Sequence, residues 1–155
     1  MTDRPPMIGS VEEHARDVGQ ADSRASAAAL GKLLGLERLG VNVETLPPGS
    51  RSSLPHAHSR DEELVFVVKG HPDLWIDGVL YRLQPGDAAA FPSGTGIAHC
   101  LINNTQDPVQ FLVVGEKNAE DRVVYPVNPE RQHPRPWTDA PRRALGPHNG
   151  KPTVE

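Results

Sequence analysis

The sequence predicts an all-β sandwich or barrel, and three observations carry that prediction. Short apolar runs rich in β-branched residues recur along the middle of the chain. Turn chemistry separates them about every 8 to 12 residues. No helical segment alternates with the runs, so a parallel βαβ arrangement is disfavoured. The 155 residues include 14 Gly and 16 Pro, which suits frequent turns. That length fits one domain with a sizeable core.

The elements follow in order. Residues 1–28 are rich in Ala, Asp, Arg and Ser without a clean apolar stripe, and read as a loose or partly helical N-terminal arm. The β domain is expected over 29–127. In LLGLERLGVNVETL, from Leu33, residues Leu39, Val41 and Val43 share one face and Gly40, Asn42 and Glu44 the other, which is strand periodicity. PPGS (47–50) ends it with a turn. LVFVV (64–68) is a continuous apolar run that suits a strand buried on both faces. LWI-DG-VLY (74–81) reads as a hairpin on a two-residue Asp77-Gly78 turn. QPGD (84–87) suits a type II turn. AAAF (88–91), IAHCLI (97–102) and VQFLVV (109–114) are further strands, separated by PSGTG and NNTQDP. VVYPV (123–127) can add an edge strand, limited by Pro126. Residues 128–155, dense in Pro, Arg and His, read as an extended tail anchored by Trp137 and ALGP (144–147).

Composition narrows the function. The net charge of −4, with no basic block, argues against nucleic acid as a partner. The longest apolar run, Leu64 to Val68, is far too short to span a bilayer, and no membrane partner is expected. The polar start MTDRPPMIGSVEEHARD lacks the apolar core of a signal peptide. The single cysteine, Cys100, excludes a disulfide within the chain and is compatible with a reducing compartment. A cytoplasmic location is expected.

HAHSRDEE (56–63) holds the chemistry. On a strand, His56 and His58 point to one side, at a spacing that lets two imidazoles meet one ion. The polar residues between them and the glutamates reset the parity, so periodicity leaves Glu62 and Glu63 both open. Glu63 shares a face with Val65 and Val67, Glu62 with Leu64 and Phe66. A third histidine, His99, falls in the apolar IAHCLI strand. A buried histidine needs partners for both ring nitrogens, and a metal supplies one. Imidazoles with a carboxylate suit a divalent metal ion: Fe, Mn, Zn, Ni, Co or Cu. Singly, HxH suits surface polarity and His99 suits a satisfied core histidine.

The wider pattern ties them together. Gly49, His56-Ala-His58, Glu63 and Gly70 resemble the first motif of the cupin superfamily. Gly86, Pro92, Gly94, His99 and Asn103 resemble the second. The match covers roughly residues 33–115. The interval from Gly94 to His99 is longer than the commonest form, and Gly96 restores it. FPSGTGIAH and LGVNVETLPPGSRSSLPHAHS are similar to a subgroup of small single-domain bacterial cupins, some with an inferred sugar-phosphate isomerase label. The resemblance implies a jelly-roll β-barrel with N- and C-terminal arms and a homodimer. It also selects Glu63 over Glu62 and implies four metal ligands: His56, His58, Glu63 and His99.

The function expected on that basis is a metal-dependent enzyme, isomerase or dioxygenase-like, acting on a small molecule in the barrel mouth. The alternative is a non-catalytic small-molecule-binding or sensor cupin. Isomerisation needs a base, for which Glu62, Tyr81 and His148 are the candidates. Cys100 should face away from His99 as a small buried hydrophobe. Trp75 and Tyr81 should pack the sheet. Arg51, Arg60 and Arg82 should be exposed. The edge near residues 33–44 is the expected dimer contact.

Overall fold

The computed structural model describes residues 4–154. The larger of its sheets is antiparallel, with strand order β1-β2-β3-β10-β5-β8. Its strands are β1 (Arg16–Val18), β2 (Ala25–Ala28), β3 (Leu39–Leu46), β5 (Glu63–Lys69), β8 (Ala88–Phe91) and β10 (Val109–Glu116). The smaller sheet runs β7-β6-β9, from β6 (Asp73–Ile76), β7 (Val79–Arg82) and β9 (His99–Ile102). A short pair, β4 (Ala57–His58) and β11 (Val123–Val124), joins it through an antiparallel bridge between His56 and His99. The two sheets close over Leu46, Val65, Phe91, Val109 and Phe111 from one side and Leu74 and Leu101 from the other. Each such side chain contributes roughly 1.5–3 kcal/mol by leaving water. The expected jelly-roll is the fold observed. No helix among the described residues is long and apolar enough to cross a membrane.

The turns form as their residues dictate. Asp77 (φ 45°) and Gly78 (φ 89°) both take the left-handed conformation between β6 and β7, as a type I′ hairpin requires. Gly86 (φ 95°) supplies the positive φ of the QPGD turn, which Asp87 N–H closes onto Gln84 O at 3.0 Å.

The tail is a further layer on the outer side of the small sheet. Trp137 packs with Ala57, Trp75, Ala98, Cys100 and Ile102 in a second apolar cluster. Trp75 Nε1 donates to His148 O at 2.8 Å, and Gly146 N–H donates to Asp77 O at 2.7 Å. Both expected anchors are thus in place, and Cys100 faces away from His99 into this cluster.

The structure departs from the expected reading at five points. The N-terminal arm holds one helical turn, α1 (Val11–His14), but mainly extends the sheet: β2 pairs with β3 through Ser26↔Thr45 and Ala28↔Val43. ASAA is too short and too small to show strand periodicity. The β3 edge is therefore partly covered, by β2 and by α2 (Leu30–Leu33), whose Gly31 lies against Val41. LVFVV is buried on one face only. Val65 and Val67 are inside, while Leu64, Phe66 and Val68 are 41%, 40% and 47% exposed, because nothing among the described residues covers that side of the sheet. Arg51 is 4% exposed, held by Asp22 at 3.0 Å and by Gly150 O at 2.8 Å. Tyr81 is half exposed on the outer strand β7.

Candidate metal centre

The candidate ligands come from three pieces of strand: His56 and His58 from the stretch around β4, Glu63 from β5 and His99 from β9. His56 and His99 form a bridge pair, with His56 N–H to His99 O at 3.2 Å and His99 N–H to His56 O at 3.0 Å. His58 ends β4. Glu63 opens β5 opposite Gly115 and Phe91. Its parity matches Val65 and Val67, so it points inward, whereas Glu62 is exposed.

The side chains converge. His56, His58 and Glu63 each offer a ligand atom, and these atoms lie within 4.8 Å of one another. Glu63 Oε2 is 3.6 Å from His58 Nε2 and 3.2 Å from His99 Nε2. His99 thus reaches the group through Glu63 and lies outside that mutually close trio. Its ring centroid is 5.0 Å from that of His56, and it stacks on Phe91 with centroids 3.5 Å apart. Its Nδ1 is buried with no hydrogen-bond partner among the described residues.

The donor set fits a metal ion. His56 Nδ1 lies 2.9 Å from Leu54 O, so it carries the proton and leaves Nε2 as the lone-pair nitrogen. His58 Nδ1 lies 2.6 Å from Asp121 Oδ2, with the same consequence. Burial, followed by the charge on His99, pushes His56 down to about 4, so its imidazole is neutral at pH 7, as a ligand must be. Burial works to raise the Glu63 carboxyl. The hydrogen bond from His99 and the nearby imidazoles outweigh it and hold Glu63 below its ordinary value. The set is two oriented imidazoles, that of His56 neutral, an ionised carboxylate and a third imidazole beside it.

Two contributors escaped the sequence reading. Asp121 is 4% exposed and also accepts from the Arg60 and Asp61 backbone N–H groups at 2.8 and 3.2 Å. It lies 63 residues from His58, and no local pattern marks it. Glu44 sits on the inward face of β3 opposite Phe111 and lines a cavity of about 170 Å³ with Asn42, His56, Glu63 and His99. Burial, then the charge on Glu63, raises its carboxyl to about 7. Its inward parity was legible in LGVNVETL, but which face pointed inward was not. Of the three bases first considered, Tyr81 is exposed on β7 and His148 lies in the tail against Trp75, while Glu62 is exposed at the rim of a cavity that also meets His58 and Glu63.

Residues 42–115 match the family model of the cupin domain. A structure of a presumed sugar phosphate isomerase from Acidithiobacillus ferrooxidans superposes with a TM-score of 0.73 at 26% identity, covering 78% of this chain and 81% of that one. A sugar phosphate isomerase of the cupin superfamily from Silicibacter pomeroyi superposes with a TM-score of 0.64 at 40% identity, over 65% of this chain and 64% of that one. Germin-like protein 5-1 of Oryza sativa subsp. japonica is 32% identical over 97 residues, and the match spans 58% of this chain but only 42% of that protein. With both motifs folded as described, residues 42–115 form a cupin domain.

Proposed function

We propose that this cupin is a metal-dependent enzyme acting on a small molecule, with His56, His58, Glu63 and His99 as the ligands. The observation that carries the reading is the convergence of the His56, His58 and Glu63 ligand atoms within 4.8 Å, with Nδ1 of both histidines tied back to the protein. A divalent ion there would act as a Lewis acid, or as an oxygen-binding centre if it were iron. Imidazole and carboxylate ligands suit Fe, Mn, Zn, Ni, Co and Cu alike.

The chain's own residues supply the rest. Leu54 and Asp121 fix the imidazoles, and Phe91 shields His99. Glu44, in the same inner cavity as His56, Glu63 and His99, is the carboxyl able to hold or release a proton near neutrality. That favours turnover over a silent binding module. Isomerisation of a carbonyl compound moves a proton between carbons, and Glu44 suits that step, in keeping with the names of the two structural neighbours. The partner is a small molecule rather than nucleic acid or a membrane. The free, buried Cys100 supports a reducing, cytoplasmic setting. The exposed Leu64, Phe66 and Val68 support a homodimer formed through the outer face of the large sheet.

Elemental analysis of purified protein beside its His58→Ala variant tests the metal. The expected result is near-stoichiometric metal in the native protein and a large loss in the variant. Equal metal content in the two, or none in either after metal is offered, overturns the reading.

A further inference from the structure

A second cavity, of about 700 Å³, meets His56 and His58. That volume suits a small organic molecule. Its remaining walls come largely from segments outside residues 42–115. Tyr125, Arg131 and His133 belong to the chain that follows β11, and Gln20 and Ser23 to the N-terminal arm. The segment carrying Arg131 and His133 is held at both ends. Val123 N–H donates to Arg135 O at 3.0 Å, and Trp137 N–H donates to Val123 O at 2.9 Å. Tyr125 spans floor and rim, its ring 6.2 Å from those of both His56 and His133.

The charge of this cavity is one-sided. None of its lining residues is acidic, and Arg131 carries its only permanent charge. Arg51, Arg60, Arg82, Arg122 and Arg143 each sit against a carboxylate. Arg131 has no ion-pair partner among the described residues. Its backbone N–H is bonded to Asn128 O at 2.9 Å, which fixes the turn that carries it. A planar guanidinium without a carboxylate, on the wall of a cavity that ends on two imidazoles, is suited to a bidentate oxyanion.

We infer that this cavity binds a small molecule bearing an anionic oxygen group, phosphate or carboxylate, with Arg131 as the anchor that turns the rest of the molecule toward His56 and His58. Tyr125 and His133 flank the bound molecule as aromatic walls. The inference rests on the proposed site for its orientation, but the anion anchor does not require the metal.

The test uses inorganic phosphate and acetate as separate titrants at constant ionic strength, followed by thermal stabilisation and by calorimetry. The proteins are wild type and Arg131→Gln, each metal-loaded and chelator-stripped, with metal content measured alongside. At least one anion should stabilise the wild type saturably, and Arg131→Gln should raise its half-saturating concentration about tenfold with no change in metal content or basal Tm. Preference for phosphate identifies a phosphorylated substrate, and preference for acetate a carboxylic acid. Equal binding by both proteins, or saturable binding of neither anion to the wild type, overturns the inference. Absence of metal from the wild type sinks the metal reading alone, because the stripped samples still report on Arg131.

Discussion

His56 and His99, 43 positions apart, exchange both backbone hydrogen bonds across one antiparallel bridge, at 3.2 and 3.0 Å. Their ring centroids are 5.0 Å apart. The two cupin motifs therefore meet by main-chain pairing before any ligand acts. Side-chain placement at the centre depends on the strands first and on the metal second.

Asp121 should govern metal affinity without touching the metal. Asp121→Asn keeps the volume but removes the charge that orients His58 and polarises its ring. Loss of such a partner typically costs 10–100-fold in metal affinity. A competitive titration against a chromogenic chelator should show a weakening in that range. Unchanged affinity would mean that His58 is oriented by strand packing alone.

Glu44 should make the stability of metal-stripped protein depend on pH. A carboxyl raised in the folded state favours folding below its unfolded value of about 4.3, and that contribution is lost as pH rises through about 7. Glu44→Gln stays neutral throughout. Urea unfolding at pH 5 and pH 8 should therefore show the wild type losing on the order of 2 kcal/mol relative to the variant, after allowance for water reaching the cavity. Parallel pH profiles would contradict the raised carboxyl.

The framework was legible because its signals are local. Asp77-Gly78 dictates a type I′ turn, AAAF is bounded by two turns, and His56 and His58 share a strand face, whereas Glu63 is distinguished from Glu62 by motif resemblance and not by parity. What escaped notice acts across space. Asp121 lies in an irregular stretch with no period to reveal a buried carboxylate. The face of β3 that points inward is the polar one, Asn42 and Glu44, while α2 lies against Val41 on the other face. Alternation reveals two faces and leaves unstated which one meets the core. ASAA carries too little apolar area to announce a strand, and pairs only because β3 offers an open edge.

Gly78→Ala should loosen the tail. The residue sits at φ 89°, and an added Cβ would lie 2.3 Å from Gly146 O. Left-handed strain and this backbone clash together should cost about 2 kcal/mol or more. Trypsin should then cut faster at Arg142 and Arg143, which precede the displaced segment. Unaltered cleavage would show that the hairpin and tail shift together.

Phe66→Glu should dissociate the proposed dimer. The side chain is 40% exposed between Leu64 and Val68 on the uncovered sheet face, so a carboxylate there is harmless to the monomer and costly in an apolar contact. Light scattering should report twice the chain mass for wild type and the chain mass for the variant. A monomeric wild type would leave the apolar face to some other use.

Arg51 carries a consequence in time. Its buried guanidinium is shared between Asp22 and the carbonyl of Gly150. During synthesis Asp22 emerges from the ribosome before Arg51, whereas Gly150 follows 99 residues after it. Until then the charge must keep water as its second partner, and the barrel wall around it cannot be fully sealed. Final closure of this region therefore waits on a segment translated 99 residues after Arg51.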